Sequence, residues 1–120
     1  MCRRVLIVDD NSAFRAAARQ LLERAGFVVV AEAGDGVEGL RAAGEHTPDV
    51  AVVDVQLPDL DGFELTERLG ALEPAPEVIL TSSLDGTDFG ALVASSSALG
   101  FIPKAELSGR AIEALLAPNR

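Results

Sequence analysis

Tryptophan and tyrosine are missing from the 120-residue chain, and five Phe make up its aromatic content. The core must therefore be aliphatic. The single cysteine, Cys2, rules out an internal disulfide and a cysteine-based zinc site. Positive charge is scarce: 10 Lys plus Arg face 19 Asp plus Glu, a formal net charge of -9. Such a chain does not attract nucleic acid through a general electrostatic field, although a local patch is not excluded. No apolar run approaches the ~20 residues of a membrane-spanning helix. The N-terminus passes from Met-Cys-Arg-Arg straight into a strand pattern, with no separate signal-peptide apolar region. Low-complexity tails, charge blocks and Pro-rich linkers are also missing. With 48% hydrophobic and 24% charged residues the composition is that of a folded protein, and the length suits one domain over residues 1–120. These absences predict a soluble cytoplasmic domain.

What is present is an alternation of two kinds of segment. Val5 to Val8 is a continuous aliphatic run that ends in Asp9-Asp10. Phe14, Ala17, Ala18, Leu21, Leu22 and Ala25 follow at helical spacing, with Ser12 as N-cap and Gly26 as the closing glycine. Phe27 to Val30 is a second run, and Gly34-Asp35-Gly36 reads as a turn. Val37, Leu40 and Ala43 suit a short helix that His46-Thr47-Pro48 ends. Val50 to Val53 is the third run, again ending in an acid, Asp54. A loop at Pro58-Asp59 and Asp61-Gly62 leads to a helix carrying Leu65, Leu69 and Leu72. Glu77 to Leu80 is a fourth strand, ending in Thr81-Ser82-Ser83. Phe89, Leu92 and Val93 predict a helix of poor intrinsic propensity, because Gly90 and Ser95 to Ser97 fall in it. Gly100 to Ile102 is a short fifth strand before Pro103-Lys104, and Leu107 to Leu116 a last helix stopped by Pro118.

Strands that are apolar on both faces and alternate with helices predict a parallel sheet covered on both sides. Five units are too few for a closed eight-fold barrel. The fold class is therefore α/β: an open, doubly wound, five-stranded sheet of order 2-1-3-4-5, a three-layer sandwich. Sites in such sheets form at the carboxyl ends of the strands. Asp9, Asp10, Asp54, Thr81 and Lys104 all fall there. Three converging carboxylates repel one another unless a cation offsets them. A hard divalent cation and the Lys104 ammonium are the available offsets. A half-filled Mg2+ shell leaves room for a phosphoryl group, and Asp54 is then a nucleophile toward phosphorus. Taken singly, each residue has a plainer role. Asp9-Asp10 suits a helix start, Thr81 a strand end and Lys104 a solvated surface. Phe101 suits the core, His46 a helix C-terminus at the surface, and Arg3, Arg4, Arg15, Arg19 and Arg24 solvated faces. Pro103 suggests a rigid or cis bond that aims Lys104.

The ordered set resembles the response-regulator receiver family of two-component systems. It comprises Val8-Asp9-Asp10, Asp54 with Leu57-Pro58-Asp59-Leu60-Asp61-Gly62, Thr81, and Phe101-Ile102-Pro103-Lys104. The resemblance implies a CheY-like, flavodoxin-like domain that accepts a phosphoryl group at Asp54 from the phosphohistidine of a sensor histidine kinase. It implies Mg2+, or Mn2+, held by Asp9, Asp10, Asp54 and the Gln56 carbonyl. Thr81 and Lys104 match the residues that bind the phosphoryl oxygens, and Phe101 the aromatic switch that moves with Thr81. Gln56 and Ser83 match positions that tune dephosphorylation.

The resemblance also implies a changed protein contact, such as a homodimer, through the face of the fourth helix, fifth strand and fifth helix. Such a receiver is not an enzyme beyond catalysing its own aspartyl phosphorylation and dephosphorylation. The stretch Val28 to Gly36 looks closest to the branch that carries helix-turn-helix output domains. No output follows Arg120, so the sequence reads as a stand-alone receiver or a piece of a longer, DNA-binding regulator. Two departures stand out: Ser82 where Ala is common, and the Ser-rich fourth helix.

A flavin binder of the same topology is disfavoured, because Asp9-Asp10-Asn11 occupies the phosphate-binding loop and Trp and Tyr are absent. A phosphatase with an aspartyl nucleophile is disfavoured because its second Asp would lie two residues on rather than adjacent. The main alternative is a degenerate receiver that docks proteins without being phosphorylated.

Overall fold

The computed structural model describes residues 3–83 and 89–116. The expectations for Cys2 and Pro118 lie outside the described residues. Five strands, β1 (Arg4–Val8), β2 (Val28–Ala33), β3 (Val50–Asp54), β4 (Glu77–Ser82) and β5 (Gly100–Pro103), form one parallel sheet of order β2-β1-β3-β4-β5. The predicted topology is the observed one. Five helices among the described residues cover it: α1 (Ser12–Arg24), α2 (Gly36–His46), α3 (Gly62–Gly70), α4 (Gly90–Ser95) and α5 (Gly109–Leu116).

The period of two along each strand divides the core between the faces of the sheet. Val5, Ile7, Val50, Val52 and Ile79 pack with Ala18 and Leu22 of α1 and Ile112 of α5. Leu6, Val8, Ala51, Val53, Val78 and Leu80 pack with Ala43 of α2 and Leu65 and Leu69 of α3. Every residue of β3 is buried. Burial on both faces is why the runs read as continuous rather than alternating.

Several boundaries differ from the sequence reading, each for a local reason. Asn11, not Ser12, caps α1, its Oδ1 accepting the Phe14 N–H at 3.1 Å. The α1 stripe is narrower than predicted, because Ala17 and Ala25 are exposed. Gly26 does close α1: with φ +98° it lets its own N–H reach Glu23 O and the Phe27 N–H reach Leu22 O, a Schellman ending. β2 begins at Val28 and runs on to Ala33, and its register against β1 shifts between Val5 and Leu6. Gly36 is the first residue of α2 rather than part of a turn, because Asp35 caps that helix through Glu38 N–H at 2.8 Å. Leu72 lies beyond the end of α3. α5 starts at Gly109, after Ser108 Oγ accepts the Ala111 N–H at 3.0 Å, so Leu107 and Ser108 precede it. The cis peptide among the described residues is Glu73–Pro74, so Pro103 aims Lys104 as a trans residue that ends β5. Arg15 and Arg19 are not merely solvated, since both pair with Glu32 of β2.

Candidate functional site

The parallel register brings the strand ends together. Val8 of β1 lies beside Val53 of β3, Asp54 beside Thr81 of β4, and Thr81 beside Ile102 of β5. Residues just past these ends therefore converge. Carboxylate oxygens of Asp9, Asp10 and Asp54 lie within 4.8 Å of one another. Lys104, in a 3₁₀ turn after β5, reaches back over them. Its Nζ is 2.6 Å from Asp9 Oδ2 and 3.1 Å from Asp54 Oδ2, and its ammonium lies 4.5 Å from the Phe14 ring centroid.

Each acid is held differently. Asp9 is fully buried: its N–H donates to Ala33 O at 3.0 Å and its Oδ1 accepts the Asn11 N–H at 2.9 Å. Arg15 Nη1 donates to its carbonyl at 2.6 Å. The Lys104 contact to Asp9 Oδ2 is an ion pair by distance but lies off the hydrogen-bond direction, so that buried oxygen has no directional donor. Asp54 is buried, its Oδ1 accepting the Gln56 N–H at 3.0 Å and its Oδ2 a hydrogen bond from Lys104. Asp10 is exposed and makes no hydrogen bond or ion pair among the described residues.

Burial, joined by the charge of Asp9, raises the Asp54 carboxyl above the ordinary aspartate range; Gln56 N–H and Lys104 pull the other way. Burial disfavours the charge on Lys104, but the carboxylates of Asp9 and Asp54 outweigh it and its pKa is raised. A buried carboxylate oxygen met only by the Lys104 ammonium, an exposed unpaired carboxylate and an all-oxygen donor set fit a hard, partly hydrated divalent cation.

A glycine makes the Asp54 end of β3 accessible. A Cβ on Gly62 would lie 2.5 Å from Asp54 O and 2.8 Å from Val55 Cα, so only glycine lets α3 start against the site. Thr81 is buried, and its hydroxyl reaches Val53 O only at 3.5 Å. Phe101 is half-buried in a row with Phe89 at 5.9 Å, itself 6.2 Å from Phe63. Gln56 and Ser83 expose their side chains beside the site. A separate shallow concavity of about 340 Å³ lies along α1 between Ala16, Ala17, Arg19, Gln20, Glu23 and Glu32 and holds none of the site acids.

A family model for the response regulator receiver domain matches residues 5–116. The chain belongs to the response-regulator receiver family. It is 37% identical over 106 residues to the transcription regulator BvgA of Bordetella pertussis, covering 88% of this chain and 51% of that protein. It is 30% identical to the chemotaxis protein CheY of Bacillus subtilis over 96% of both chains. Among solved structures, a LuxR-family two-component response regulator from Aurantimonas is 35% identical with a TM-score of 0.88, covering 100% of this chain and 89% of that one. The receiver thus spans about half the length of the curated transcription regulators it matches. The transcription regulators among these relatives are consistent with the branch expected from Val28 to Gly36. Sequence reasoning missed Phe14 and Arg15 as neighbours of the site. Phe14 read as one more stripe residue, and Arg15 found its partner Glu32 only through the β1–β2 pairing.

Proposed function

We propose that this receiver is a phosphorylation switch with Asp54 as phosphoacceptor and a sensor histidine kinase as donor. A carboxylate oxygen of Asp54 attacks phosphorus, and the P–N bond of the donor phosphohistidine breaks. The imidazole nitrogen leaves with that electron pair and later takes a proton. The observation that carries this reading is the Lys104 ammonium bridging Asp9 and Asp54 among three converging carboxylates. Lys104 would pair with one oxygen of the incoming group, and Thr81, beside Asp54 in register, would donate its hydroxyl to another. Asp9, Asp10, Asp54 and the Gln56 carbonyl would hold Mg2+, or Mn2+, which neutralises charge on the transferring group. Gln56 and Ser83 are exposed two residues beyond Asp54 and Thr81, which supports a role in setting the phosphorylated lifetime.

Drawing Thr81 toward the phosphoryl group frees the space into which Phe101 turns, which biases the face of α4, β5 and α5. Leu92 and Leu99 are exposed hydrophobic residues in and beside α4, and support that face as a protein contact such as a homodimer. This chain matches about half the length of each relative named as a transcription regulator, so DNA binding would belong to an output region of the whole protein rather than to this domain.

Intact mass after incubation with acetyl phosphate tests the reading. One added phosphoryl group, dependent on Mg2+ and absent from Asp54→Asn, is the expected result. An unmodified wild-type chain, with phosphohistidine donors also failing, would leave a docking module.

A further inference from the structure

Resting on the cation-binding reading above, we infer that Arg15 is a positioning residue for the acidic centre, itself held by Glu32. Its Nη1 donates to the Asp9 carbonyl at 2.6 Å while its Nε pairs with Glu32 Oε1 at 3.2 Å. The other Glu32 oxygen is taken by Arg19 Nη1 at 2.7 Å. The Arg15 and Glu32 side chains are only 21% and 25% exposed, so the clamp is sheltered. β2 thus grips the residue after β1 twice: Ala33 O accepts the Asp9 N–H, and Glu32 acts through Arg15 on the Asp9 carbonyl. With both backbone groups fixed, the peptide joining Asp9 to Asp10 has one orientation. That orientation sets the directions in which the two carboxylates offer oxygen. Outer groups of this kind commonly fix the geometry of the residues that bind a cation.

The sign of the effect separates positioning from plain charge. Arg15 is a cation beside an acidic cluster, so losing it by electrostatics alone would tighten divalent cation binding. Losing a positioning group would weaken it. Arg19 is the internal control, because Arg19→Met removes the same charge and another partner of Glu32 without touching Asp9.

The experiment is a Mg2+ titration of the unphosphorylated chain, wild type and variants, followed by amide NMR shifts at Asp9, Asp10 and Asn11. The same spectra report whether each variant is folded. Arg15→Met is expected to weaken Mg2+ binding roughly tenfold, and Arg19→Met to leave it unchanged or slightly tighter. Arg15→Gln, a milder change that cannot span both partners, is expected to weaken it too. Equal or tighter Mg2+ binding by the Arg15 variants overturns the inference, as does equal weakening by Arg15→Met and Arg19→Met. A wild-type chain whose Asp9 and Asp10 amides ignore Mg2+ overturns the cation reading itself, and the inference with it.

Discussion

Replacing Lys104 by Met removes the ammonium that lies over the Phe14 ring but keeps an unbranched apolar side chain. Two buried carboxylates then face each other without their cation. Nζ lies 2.6 Å from Asp9 and 3.1 Å from Asp54, with the lysine 17% and the acids 0% and 8% exposed. At an effective dielectric near 20, each contact is worth about 5–6 kcal/mol of Coulomb attraction, most of it offset by desolvation. Removing one partner of a buried pair typically costs about 3–5 kcal/mol. The mouth of the site is open at Asp10, which points to the lower end, about 3 kcal/mol at neutral pH in chelator.

Urea unfolding followed by far-UV circular dichroism suits a chain without Trp or Tyr. With a slope of about 1–3 kcal/mol per M, the midpoint should fall by 1 M or more. Two rescues are expected. Burial and Asp9 already raise the folded pKa of Asp54, and loss of Lys104 raises it further. A carboxyl whose folded pKa exceeds its unfolded value binds more protons in the folded state, so stability grows as pH falls through the folded pKa. The variant should therefore close its gap to wild type between neutral and mildly acid pH. Saturating Mg2+ should also narrow it, by about 1.4 kcal/mol for each tenfold by which the variant binds Mg2+ more tightly than wild type. It binds the variant without competing with an ammonium. A Lys104→Met chain as stable as wild type in chelator at neutral pH would refute the argument. So would a gap that widens in acid.

Gly26→Ala should destabilise by about 1 kcal/mol, wholly through φ +98°, because a Cβ there meets nothing within 4 Å; an unchanged urea midpoint would show that the α1 ending relaxes freely. Asp59→Ala should lower the midpoint, since Asp59 Oδ1 and Oδ2 accept the Gly36 and Val37 N–H groups at 2.8 and 2.9 Å. Those bonds hold the Asp59 pKa down, so its contribution is present above the ordinary aspartate range and lost as pH falls through the lowered value. The difference between variant and wild type should accordingly vanish in acid; a pH-independent difference would count against it. Hydrogen exchange should show lower opening free energies for α4 amides than for Leu65 to Leu69 of α3, and equal protection would contradict the packing.

The sheet was legible because β1, β3 and β4 are buried on both faces, so their runs are apolar without alternation and cannot be mistaken for surface strands. The site was legible for a related reason. Asp9, Asp54 and Thr81 each follow an apolar run directly, and topology alone forces such ends together. Helix limits were less legible because caps compete. Asn11 and Ser12 are both good N-caps, and only the turn after Asp10 decides between them. The Arg15–Glu32 clamp could not be read at all. Its members are 17 residues apart, and the contact exists only because β2 pairs with β1 across the shift that follows Val5.

Rigidity and compliance are divided within the sheet in a way that suits a switch. The candidate site stands on β1 and β3, whose apolar residues are almost wholly buried and costly to displace. α4 is the opposite. Its six residues include none that is buried, no side chain caps its N-terminus among the described residues, and no charged residue complements its ends. Its surroundings are tied to the rest by the Phe63–Phe89–Phe101 row, by Val93 and Ala98 against the core, and by the Ser97 contacts to Glu67 at 3.0 and 3.1 Å. Thr81 sits between these regimes with a hydroxyl whose bond to Val53 O, at 3.5 Å, is weak. Redirecting that hydroxyl toward a new anion at Asp54 therefore forfeits little. On the proposed reading the displaced packing would shift through Phe101 into α4, because moving the buried strands would cost several kcal/mol per displaced side chain. On the proposed reading, a small local charge change at Asp54 would be converted into a surface change at α4, the described helix with no buried residue, where a modest differential energy is enough to shift the population.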